Sequence, residues 1–195
     1  MLEKLKAKLE SRFPMSEEFW KEVELHAKKH VLKKNEVLIP YSSRLRTASI
    51  VISGSFRQSI IKSTGEQIAV WFFFEDLFDV IVCLDSFVLN EHTKYEIIAL
   101  EDSIVYQFKK ERADQWAEKF KDFSVFYRED ILRTLFLTTE IRAQMTSITP
   151  AEFIHYLWKN YPEILDKIPS KYLAEFMGIT PEWFSKLLNK KISND

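Results

Sequence analysis

The chain has 195 residues, 46% hydrophobic, 14% aromatic and 29% charged, a composition that excludes a disordered tail and suits one medium domain or two small ones. Its net charge of −1 announces no basic field for a polyanion. No apolar run approaches the roughly 20 residues of a membrane span, and the opening MLEKLKAKLE has no signal-peptide core.

Residues 1–30 read as helix. Leu2, Leu5 and Leu9 fall at helical spacing, and Ser16-Glu17-Glu18 looks like a helix start before Phe19, Trp20, Val23 and Ala27. From Asn35 the character changes to short β-branched and aromatic runs: 36–39, 47–53, 56–62, 67–74, 95–100 and 103–108. Several alternate with period two, as Ile68/Val70/Phe72/Phe74 does, and Ser53-Gly54 and Thr64-Gly65 mark turns. Many short strands at close spacing predict an antiparallel barrel or jelly roll. A short helix at 112–120 follows, then a stretch from Phe123 to about Met145 without Gly or Pro. Its apolar positions form two stripes, Tyr127/Ile131/Leu135/Thr138 and Val125/Leu132/Phe136/Ala143. A helix apolar on two sides has two partners. These are the barrel and a second copy of the helix in a symmetric dimer, or else both lie within one monomer. Thr149-Pro150 starts another helix by cap and proline, ending before Tyr161-Pro162; two more short helices follow, at about 169–177 and 181–190.

The segment IPSKYLAEFMGITPEWFSKLLNKK carries the most information. Ala174 is small where two helices must approach. Gly178, four residues on, suits the left-handed end of the first helix. Ile179 plugs the turn, Thr180 caps the next helix and Pro181 opens it. Phe184 and Leu187 then face back toward Leu173 and Met177. This is helix-turn-helix spacing. Glu182, Ser185, Lys186, Asn189 and Lys190 point outward, where such residues reach base edges and phosphates. The competing reading is a packing αα-hairpin. Residues 150–195 hold six Lys and six acidic residues, and Trp183 is bulky for the start of a DNA-facing helix.

The order of parts resembles the Crp/Fnr family of bacterial transcription regulators over nearly the whole chain. LKKNEVLIP, SIVISGSFRQS, STGEQIAVWFF, YEIIALEDSIVYQF and PSKYLAEFMGITPEWFSKL carry the resemblance in that order. YPEILDKIPSKYLAEFMGIT looks like the Bacteroidetes-type branch, which lacks a wing hairpin ahead of the motif. The resemblance implies an α+β fold. A cyclic nucleotide-binding-like sensor roll with N-terminal helices would occupy 1–120, a dimerisation helix 121–147 and an all-α helix-turn-helix domain 148–195. It implies a homodimer that reads a palindromic double-stranded DNA site, with Ser185, Lys186, Asn189 and Lys190 in the groove. Thr180 and Lys171 become candidates for phosphate contacts.

Family members that bind cyclic nucleotides carry a Gly-Glu pair after an aromatic, then Arg-Ser or Arg-Thr before a strand. Here the first block is Phe78-Asp79-Val80 and the second His92-Thr93-Lys94-Tyr95. Asp79 repels a phosphate, Val80 cannot bond a ribose, Thr93 stands where the Arg would be, and Lys94 lacks the bidentate fork. The cassette is degenerate, and no cofactor is expected. Trp71, Phe73 and Phe78, with Phe72 and Phe74, either fill the core or line a site for an apolar effector. Asn35 and Ser43 replace two of the family's usual corner glycines.

Other chemistries find little support. His26 and His30 lie four apart on the predicted helix with Glu22 a turn earlier, a spacing that can bind metal but lacks a third His or Cys. The single cysteine, Cys83, fits a reducing cytoplasm and has no basic neighbour to activate it. A cupin-like enzyme would need clustered histidines in the strands, where only His92 falls. The expectation is a cytoplasmic, non-enzymatic regulator. The alternative is a dimeric interaction module that keeps the fold without binding DNA.

Overall fold

The computed structural model describes residues 2–75 and 77–192, with side chains through Asn189. Among the described residues, two N-terminal helices, α1 (Glu3–Glu10) and α2 (Glu17–His26), precede a roll of eight strands. Ser16 caps α2 by accepting the Phe19 amide at 3.2 Å. The strands are β1 (Lys28–Leu32), β2 (Val37–Ile39), β3 (Thr47–Ser53), β4 (Ser55–Ile61), β5 (Gln67–Phe74), β6 (Val80–Ile81), β7 (Tyr95–Ala99) and β8 (Ser103–Lys109). They form two four-stranded antiparallel sheets, ordered β1-β8-β3-β6 and β2-β7-β4-β5. A short helix, α3 (Leu84–Phe87), lies between β6 and β7. Gly54 makes the β3–β4 corner at φ +91°, and a Cβ there would lie 2.7 Å from Ser103 Cβ. Only glycine fits both constraints.

The roll is followed by the helices α4 (Lys110–Lys119), α5 (Lys121–Ser147), α6 (Pro150–Asn160), α7 (Pro162–Lys167), α8 (Ser170–Met177) and α9 (Pro181–Ile192). The predicted cap at Thr149 is a full capping box, in which Thr149 Oγ1 accepts the Glu152 amide and Glu152 accepts the Thr149 amide. Two apolar clusters hold the molecule together. One gathers Leu5, Leu9, Phe19, Trp20, Trp116, Phe123 and Phe126 where α1, α2, α4 and the start of α5 cover a sheet. The Phe19 ring lies 5.1–5.7 Å from Trp20, Trp116, Phe120 and Phe123. The other runs from the roll (Val51, Phe56, Phe74, Ile97) through Leu137 and Ile141 of α5 into Phe153, Leu157, Leu173 and Phe184.

Three expectations change. The first helical region ends at His26, and His30 lies on β1. The two histidines share no helix face, so the i,i+4 metal spacing dissolves. His26 Nε2 instead lies 3.6 Å from Glu22. The long helix also turns neither predicted stripe to the roll. It buries Phe123, Phe126, Leu137 and Ile141. The middles of the two stripes merge into one exposed face of Ile131, Leu132, Leu135 and Phe136, each 51–64% accessible. Finally, Asn35 does adopt a left-handed backbone (φ +69°), but the second such corner is Ser42 (φ +58°), not Ser43.

Candidate nucleic-acid interface

The turn between α8 and α9 is built as the spacing requires. Gly178 ends α8 at φ +68°, and the Gly178 and Ile179 amides return to the Glu175 and Ala174 carbonyls at 3.1 and 3.0 Å. Thr180 Oγ1 accepts the Trp183 amide at 3.2 Å, capping α9, and Pro181 occupies its first position. Leu173, Ala174 and Phe184 are fully buried, in the core that the two helices share.

That packing turns Glu182, Ser185, Lys186 and Asn189 outward. All four are exposed, at i, i+3, i+4 and i+7 on α9, and they form one stripe. Thr180 is exposed at the head of the stripe. Its hydroxyl oxygen holds the cap, while its O–H can still donate to an anion. Lys171 is exposed in the first turn of α8, its Nζ 5.7 Å from the Tyr172 ring. The side chain of Lys190 lies outside the described residues. Trp183 is 47% accessible beside the stripe.

The predicted effector residues occupy several environments. Trp71 and Phe78 lie 4.9 Å apart, edge to face. With Phe72 and Phe74 they meet Ile141, Leu157, Ile164 and Phe176 of the C-terminal helices, leaving a cavity of only about 10 Å³. That is close to the space of one water molecule, so these aromatic rings fill core. Phe73 is buried within the same cluster. Asp79 turns away to α1. Its carboxylate lies 3.1 Å from Lys8 Nζ and 3.0 Å from Arg12 Nη2, and Arg12 Nη1 reaches Asp130 of α5 at 3.5 Å. Val80 packs in the N-terminal cluster. Thr93 is buried, with Oγ1 accepting the Tyr95 amide at 3.1 Å. Lys94 is exposed, its amide donating to Asp85 at 2.9 Å. Neighbouring Cys83 is buried, and burial pushes its thiol up to about 11, so it stays protonated and unreactive near neutrality.

Sequence reasoning missed the far side of α8. Tyr172, Glu175 and Phe176 face the roll, a role for which their spacing alone carries no signal. Among the described residues, no helix is long and apolar enough to cross a membrane.

Neither a protein-family model nor a curated protein matches the chain. Solved structures do. FixK2 of Bradyrhizobium japonicum is 15% identical over 86% of this chain and 85% of its own, with a TM-score of 0.64. A CooA variant of Carboxydothermus hydrogenoformans is 16% identical over 89% and 78%, with a TM-score of 0.65. The c-di-GMP-responsive global regulator CLP of Xanthomonas campestris is 12% identical over 92% and 93%, with a TM-score of 0.61. At these identities the likeness establishes a shared fold: a β-roll, a long helix and a C-terminal helical domain.

Proposed function

We propose that this chain is a DNA-binding transcription regulator of the Crp/Fnr type, acting in the cytoplasm as a homodimer on a palindromic site. The observation that carries the reading is the exposed stripe Glu182, Ser185, Lys186 and Asn189 on a helix fixed by a glycine turn and a threonine cap. Ser185, Lys186, Asn189 and Lys190 read base edges; Thr180 and Lys171 contact phosphate. Glu182 suits a cytosine amino group. The exposed face of α5 supports pairing with a second copy, which sets two recognition helices one DNA turn apart. The wingless connection YPEILDKIPSKYLAEFMGIT supports the Bacteroidetes-type branch.

The sensor cassette is degenerate toward cyclic nucleotides. Asp79 already neutralises Lys8 and Arg12, and Thr93 and Lys94 supply no guanidinium fork for a phosphate. The test is Lys186→Ala combined with Asn189→Ala. Each base-edge contact is worth about 1–3 kcal/mol, so the pair lowers specific affinity roughly 30-fold or more while non-specific binding changes far less. Unchanged specific binding removes α9 as the reading helix and moves the account to a protein-interaction module.

A further inference from the structure

β5 is the outer strand of its sheet, so one side of its backbone is left without a strand partner. Such edges need a cover. Here the cover is α8, the first helix of the helix-turn-helix. Glu175 Oε2 accepts the Ala69 amide of β5 at 3.1 Å. Phe176 meets Trp71 and Phe72 edge to face at 5.9 and 5.7 Å. The Arg57 guanidinium of β4 stacks 4.8 Å from the Tyr172 ring. One element on, Lys167 of α7 pairs with Glu75 at 2.9 Å, just beyond the end of β5.

The two faces of α8 divide the labour. Tyr172, Glu175 and Phe176 lie at i, i+3 and i+4 on the roll side. Leu173, Ala174 and Met177 lie on the opposite side, in the core that includes Phe184 of α9. One helix therefore spans the distance between the sensor sheet and the recognition helix. Domains that move against each other usually meet through polar, loosely packed surfaces. This seam is aromatic and filled to about 10 Å³. With the seam in place, Glu182, Ser185, Lys186 and Asn189 of α9 are exposed.

We propose that the β5–α8 seam is a built-in latch that holds the recognition helix in its DNA-reading orientation without a bound effector. The proposal rests on the reading of α9 as the DNA-contacting helix. The latch couples roll to recognition helix through the side of α8, in addition to the chain connection through α5.

The test uses the full chain, with no small molecule added. Glu175→Ala removes the edge cap, and Glu175→Ala with Phe176→Ala opens the seam. Hydrogen exchange at the Ala69 amide reports the seam directly, and titration of the selected DNA site reports its consequence. The expected result is wild-type protein that binds its site unaided. In the double variant, Ala69 exchange is faster and site affinity is lower, each by about tenfold or more. The single variant, whose fold is under less threat, moves both in the same direction by less. Faster exchange with unchanged affinity overturns the latch, because the seam is then packing alone. Higher affinity in the variant also overturns it, because the seam then holds a non-binding state. Unchanged exchange in the double variant removes the seam itself. A wild-type protein that selects no DNA site overturns the regulator reading and the latch with it.

Discussion

Asp79 pairs with Lys8 and Arg12, Arg12 also reaches Asp130, and the four side chains tie α1 to the β5–β6 turn and to α5. Lys8 also donates to the Glu75 carbonyl. Asp79 was legible in the sequence as a charge that would repel a phosphate. Its partners were not, because Arg12 lies 67 residues away and Lys8 farther still, on a segment whose facing side no local pattern discloses. The network has a pH signature. Burial first, and the Asp79 charge next, push the Asp130 carboxyl up from 3.8 to about 6. The folded protein thus binds that proton more tightly than the unfolded chain. The associated stability is fully present below about pH 4 and lost as pH rises through about 6. Asp130→Asn mimics the protonated form. It is expected to raise unfolding free energy at about pH 7 by up to about 3 kcal/mol, with the gain vanishing near pH 3.5. Urea titrations at the two pH values check this; a gain that does not depend on pH contradicts it.

Among elements, those with strong periodicity were legible and those below one period were not. β3 and β5 match the expected strands in their bounds, because β-branched and aromatic runs of seven and eight residues lie between turn signals; their burial does not alternate, since both strands bury side chains on two faces. β1, KKHVL, was missed because its polar start continues the charge pattern of the preceding helix. β6 has two residues and α3 four, too short to show a period. α7 hides behind a Tyr-Pro that reads as a break, although its proline is the first residue of a new helix. α5 shows the reverse difficulty. Apolar residues on both sides left its orientation undetermined until the roll-facing set, Leu137 and Ile141, was known. Ile131, Leu132, Leu135 and Phe136 then remain on the open face. Phe136→Glu would place a charge at the centre of a self-paired surface and oppose it to its own copy. The variant is expected to sediment as a folded monomer where the parent sediments as a dimer. A parent that is monomeric at micromolar concentration removes α5 as the pairing helix.

At the scale of the molecule, one apolar core extends from the roll through α5 to Phe184 of α9. The helix-turn-helix was the most legible part, because Ala174, Gly178, Thr180 and Pro181 each have a local conformational reason to be where they are. The contact of α8 with β5 had no such local reason, since it joins residues about 106 apart. The roll, the open face of α5 and the exposed stripe on α9 are the three features on which the proposed dimeric reading of DNA rests. The most direct measurement is selection of random and genomic DNA fragments by the purified protein at about 150 mM salt, where phosphate attraction alone is weakened. The expected result is enrichment of a single palindrome whose half-sites lie one helical turn apart. Recovery of unenriched DNA, with no common sequence, would contradict it.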